Sequence, residues 1–157
     1  MIQRIQTIWL LAAAVVLLGL FIFPYLNFID LVGLGKKVSV TGVYSSVNNA
    51  SVQESSSLLL TIFAAFVALF PVFIIFLFKN RKLQLLCIYA EIVLIAVLAI
   101  WMYSNANSVL SGISQGLQAN NIGVGFFLLP VAVILLSFAI RGIRHDSKLI
   151  KSADRLR

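Results

Sequence analysis

Four apolar blocks leave this chain few folds to choose from. They run from about Ile8 to Phe28, Leu58 to Phe78, Leu83 to Tyr103 and Ile122 to Ile140. Each reaches the roughly 20 residues that a helix needs to cross a hydrocarbon layer about 30 Å thick. A soluble domain would balance such blocks with charged faces. Here 61% of the 157 residues are hydrophobic and only 11% are charged, and the mean hydropathy is +1.05, values that describe solvation by lipid. Because hydrocarbon offers no hydrogen bonds to backbone groups, apolar segments of this length read as helices. The expectation is an all-α membrane protein: one four-pass domain over residues 1–157, folded as an antiparallel four-helix transmembrane bundle. Its helices are placed at about 5–28, 58–78, 83–103 and 121–144, with a basic amphipathic tail over about 145–157.

The first block also has to be weighed as a signal peptide, since Arg4 gives a basic start and Ala12, Ala13 and Ala14 are small. Those alanines lie inside the apolar run, which is longer than the usual h-region, so retention as a membrane helix is expected. The lone cysteine, Cys87, falls in the third block and reads as a packing residue.

Basic residues orient the bundle. In a four-pass arrangement Arg4, the KNRK turn (Lys79, Arg81, Lys82) and Arg141, Arg144, Lys148, Lys151, Arg155 and Arg157 share one side, while Lys36 and Lys37 fall on the other. The positive-inside rule then places both termini in the cytoplasm. The net charge of +7 is accounted for by this orientation, and without an aromatic-interleaved patch or a binding module nucleic acid is not an expected partner.

Two outward loops remain. In residues 29–57 the alternation Val38, Ser39, Val40, Thr41 between Gly35 and Gly42 is that of a half-buried strand, and a small hairpin there would make an outer cap. Ser51 to Ser57 reads as the polar start of the second helix, capped by a serine. In the second loop, Val109, Ile113 and Leu117 recur every four residues beside Leu110, the stripe of a short interfacial helix or of a lid. Asn120 or Asn121 is a candidate cap for the fourth helix. Pro71 and Pro130 interrupt helices and read mainly as kinks. Gly123 and Gly125 lack the four-residue spacing of a helix-dimer seam and hint only at close packing near the fourth helix start.

Glu91 is the one carboxyl set deep in a block, eight residues past Leu83, about 12 Å along the helix. An ionised group at that depth is costly and must acquire a proton or a donor. Thr61, Tyr89 and Ser137 are the candidate donors, at differing depths. A hydrogen-bonding pin within the bundle or against another subunit is the favoured role, with an ion or proton site and a lipid or small-ligand contact as the alternatives.

Catalysis has little to stand on. His145 has only Asp146 beside it, and there is no HExxH, paired cysteine, serine elbow or phosphate-cradling loop, so no enzyme, cofactor or metal is expected. Tyr25, Asn27 and Asp30 read as an interfacial boundary, as do Trp9, Trp101 and Tyr103. In the tail, Arg144, Lys148, Lys151 and Arg155 recur at spacings of four, three and four, a basic face for anionic headgroups or an acidic partner. The fourth helix either bends onto the inner leaflet there or runs straight on.

The opening MIQRIQTIWLLAAA and the closing KLIKSADRLR resemble those of a family of small Bacteroidota membrane proteins catalogued as domain of unknown function 4293. The resemblance extends over nearly the whole chain, the SADRLR-like ending being its most specific part. Where the family often has a further acidic residue before the tail helix, this chain has Ser147 after Asp146. The resemblance implies a Gram-negative inner-membrane protein and brings no activity or site residue with it. The favoured expectation is a non-catalytic accessory or scaffold subunit that contacts membrane lipids and a protein partner through its tail, its outer loops or the Glu91 face. A small oligomeric transporter or channel using Glu91 is the alternative, and a membrane enzyme or lipid-handling protein the third.

Overall fold

A computed structural model of the chain describes residues 3–29, 33–47, 50–78, 80–112 and 119–155, with no side-chain description at 3–5, 47, 50–51, 119 and 147–155. Four α-helices are present: α1 (Gln3–Leu18), α2 (Leu58–Phe76), α3 (Arg81–Ser111) and α4 (Val124–Arg155). Within them, Leu58–Phe76, Arg81–Ser111 and Val124–Asp146 are long and apolar enough to cross a membrane, while Gln6–Phe21 is a shorter apolar helix.

The all-α expectation is corrected by a four-stranded antiparallel sheet between α1 and α2. Its strands, β1 (Leu26–Ile29), β2 (Gly35–Ser39), β3 (Gly42–Val47) and β4 (Ala50–Ser56), are ordered β1-β2-β3-β4. The foreseen hairpin is its centre: β2 and β3 turn at Val40 and Thr41, with Ser39 opposite Gly42 and Gly42 at φ 149°, where a side chain is disfavoured. One face carries Leu26, Phe28, Val38 and Val43 into the core. That burial is what two strands alone would lack.

Both flanking elements contribute strands the apolar blocks concealed. The first helix gives way at Gly19–Phe21 to a 3₁₀ turn and ends well short of residue 28. Beyond Pro24 the alternation of buried Leu26 and Phe28 with exposed Asn27 and Ile29 is a strand period. Ser51 to Ser56, expected to begin the second helix, pair with β3 instead. Ser57 does occupy the N-cap but makes no side-chain cap bond. The Thr61 hydroxyl lies 2.9 Å from both Ser57 O and Val40 O and ties the first turn of α2 to the hairpin.

Each helix buries a stripe spaced by threes and fours. In α1 it is Gln6, Leu10, Ala13 and Leu17, continued by Leu20 in the 3₁₀ turn; in α2 Leu60, Ala64, Val67, Pro71 and Ile74; in α4 Leu129, Ala132, Leu136, Ala139, Ile143 and Asp146. Small residues on these stripes let helices approach closely where lipid removes any hydrophobic incentive to pair. The principal interfaces are α1 with α4, α1 with α2, α2 with α3, and α3 with α4. The helices therefore form a ring with α1 and α3 at opposite corners. Large apolar side chains such as Ile62, Phe73, Phe76, Val93 and Ile100 cover the outside.

The α1–α4 corner closes at the sheet end through backbone contact. Gly123 N donates to Tyr25 O at 2.8 Å and Gly125 N to Pro24 O at 3.0 Å, so main-chain carbonyls, not Asn120 or Asn121, satisfy donors at the α4 start. A Cβ on Gly125 would lie 2.6 Å from Phe23 O, and one on Gly123 would collide with Pro24 O. These glycines have a packing role after all, against backbone instead of along a helix seam.

The other boundaries also shift. What looked like a separate interfacial helix is in part the end of α3, which runs to Ser111 with Ala106 and Leu110 still buried; Ile113 and Leu117 lie outside the described residues. The tail is not a separate element either, since α4 runs without a break to Arg155.

Candidate functional site

The end of the bundle away from the sheet holds an interior polar tier. Along α3 the buried positions are Gln84, Ile88, Glu91, Ile95, Leu98 and Met102, so the 3.6-residue period turns Glu91 inward with the core stripe. Its exposure is 0%. It faces the interior of this chain, which removes the Glu91 face as an outward docking surface.

Among the described residues, neither Glu91 carboxyl oxygen has a hydrogen-bond partner. The three candidate donors are engaged or turned elsewhere. Thr61 serves Ser57 O and Val40 O, Ser137 donates to Val133 O at 2.8 Å, and Tyr89, two residues before Glu91 on α3 and exposed, stands on a different face of the helix. The pin role thus lacks its donor. What remains is a carboxyl that is stable there as the protonated acid or with a cation beside it.

Two further buried polar residues join α1 to α4. The Gln6 Nε2 donates to Asp146 Oδ2, with the two residues each 7% exposed, and Asp146 Oδ1 has no partner among the described residues. Gln6 also packs on Gly142, where a Cβ would meet its Cγ at 3.1 Å. Gln6 and Glu91 are both buried, on helices at opposite corners of the ring. Gln84, also buried, reaches towards Ile74 O at 3.4 Å. Among the described residues no three His, Cys, Asp or Glu converge on a metal position.

Sequence reasoning passed over Gln6, Gln84 and Asp146 because polar residues near helix ends ordinarily face headgroups. The available signal was their phase: each falls on its helix's spacing of threes and fours.

Of the basic tail residues, Arg144 is exposed, and its guanidinium lies 5.9 Å from the Tyr89 ring centroid while donating to the hydroxyl. It braces α3 against α4 as well as presenting charge. Lys148, Lys151 and Arg155 lie on the last turns of α4, where side chains are outside the description. Trp9 packs on Phe138 with ring centroids 5.2 Å apart, and Trp101 on Phe63 at 5.7 Å, joining helices across the α1–α4 and α2–α3 interfaces.

A family model described as Domain of unknown function (DUF4293) matches residues 2–156. No curated protein and no solved structure matches the chain.

Proposed function

The chain belongs to the DUF4293 family, and on that premise we propose that it is a non-catalytic accessory or scaffold subunit of a larger assembly in the bacterial inner membrane. The observation that carries the reading is the length of α4. Its apolar block ends at Ile140, yet the helix continues to Arg155, roughly 22 Å further at a helical rise. Lys148, Lys151 and Arg155 continue the period begun by Arg144, so the projection is a straight basic arm suited to an acidic partner surface. In a four-pass arrangement ten of the twelve basic residues fall on one side, which supports both termini being cytoplasmic.

The test is purification of the tagged full chain from its native membrane in mild detergent, beside a variant ending at Asp146, reading native mass and co-purifying chains. The full chain is expected in a discrete complex with a reproducible heterologous partner. The shortened chain should lose that partner while its thermal unfolding stays unchanged. A lone monomer or homo-oligomer across several mild detergents overturns the reading.

The second reading, a small oligomeric proton or cation pathway, is favoured by the unpartnered Glu91 carboxyl. It requires proteoliposome flux that falls on Glu91→Gln. Equal flux in the two proteins removes it.

A further inference from the structure

Two hollows at the sheet end share one wall. The first is an apolar chamber of about 270 Å³ lined by Tyr25, Leu26, Tyr103, Ala106, Ile122 and Phe126. The second is a broader groove of about 660 Å³ whose lining includes Asn27, Lys36, Lys37, Asn120 and Asn121. Leu26 and Ile122 face each other across an isolated antiparallel bridge and line the chamber. One step along each segment, Asn27 and Asn121 line the groove. On both segments the lining passes from an apolar to a polar residue in one step, with Pro24, Phe28 and Ile29 also lining the groove.

The chamber makes no unmet polar demand at Tyr25, whose hydroxyl accepts from Asn105 Nδ2 at 3.0 Å. Tyr103, one of the residues lining the chamber, is itself exposed on the bundle surface. The groove holds Lys36 and Lys37, the two cations that the charge count sets apart from the other ten. Lys36 pairs with Glu54 at 2.8 Å, but the carboxylate side chain is 41% exposed, and a half-exposed pair of this kind is weak. Lys37 is exposed on the neighbouring strand position.

We propose that the two hollows form one site for an anionic phospholipid of the leaflet on the sheet side. One acyl chain enters the chamber past Tyr103, and the phosphate lies in the groove on Lys37, with the amides of Asn27, Asn120 and Asn121 as neutral donors. Charge complementarity selects the headgroup. A zwitterionic lipid brings its own cation to the same place and gains less from the lysines. The inference does not depend on the accessory-subunit reading, since it concerns the opposite end of the molecule.

The experiment is native mass spectrometry of the purified full chain titrated with phosphatidylglycerol or phosphatidylcholine in mixed micelles. Phosphatidylglycerol is expected to be the better retained, by about fivefold for each lysine engaged. Lys37→Gln should lower its retention by about that factor and change that of phosphatidylcholine much less. Ala106→Phe fills the chamber and should lower retention of both lipids with thermal unfolding preserved; if that variant does not fold, Ile122→Trp fills the same space. Equal retention of the two lipids by the unmodified chain overturns the proposal. So does phosphatidylglycerol binding that survives a filled chamber, because the headgroup would then be held without the tail.

Discussion

Glu91 stands on α3 where the neighbouring stripe residues, Ile88 and Ile95, are apolar. A buried carboxyl without partners carries its desolvation cost uncompensated, so Glu91→Leu is expected to stabilise the fold by about 1–3 kcal/mol. Thermal unfolding in detergent reads the change, and a loss of stability would mean that the carboxyl has a partner in the folded protein. The Gln6–Asp146 pair predicts the opposite sign. Gln6→Leu strands the Asp146 carboxyl and should cost about 1–3 kcal/mol, much of it recovered when Asp146→Leu is added; the cycle of single and double variants measures the coupling. The depth of Glu91 was legible from the sequence because charge in an apolar block is conspicuous. Its direction was legible only by phase, since both faces of a lipid-surrounded helix are apolar and hydrophobicity does not separate inside from outside.

At the scale of elements, helices α2 and α3 were legible close to their true starts, and the two boundaries at the sheet were not. An apolar run through Leu26 and Phe28 reads as helix by composition, although its alternation with Asn27 and Ile29 is that of a strand. The polar Ser51 to Ser57 segment resembled a helix start because serine serves both as cap and as edge-strand residue. Gly123 and Gly125 illustrate a different limit: their value lies in backbone approach to Pro24 and Tyr25, contacts that no local spacing displays. Gly125→Ala is expected to destabilise the protein by about 1–3 kcal/mol, by overpacking against Phe23 O. Hydrogen exchange should show the loss concentrated at the α4 start and the Tyr25 segment. A uniform loss along α4 would contradict that local cause.

For the molecule as a whole, four antiparallel helices followed from block length and loop placement, whereas the order around the ring did not. The short connection from Phe76 to Arg81 makes α2 and α3 neighbours, but the longer sheet-side connections leave several arrangements possible. Sidedness has a direct test: in a Cys87→Ser background, Gly35→Cys and Asn80→Cys, both at exposed positions, should label with a membrane-impermeant maleimide from opposite sides of sealed vesicles. Labelling from the same side would contradict a bundle with the sheet at one face and the α2–α3 turn at the other. The ring also has a consequence for how the chain is made. In this chain α1 packs most extensively against α4, so it cannot meet its main neighbour until α2 and α3 have been made. During that interval α2 is the one long-term neighbour already available to it, and any machinery that shelters inserting segments has Gln6 to accommodate before Asp146 exists.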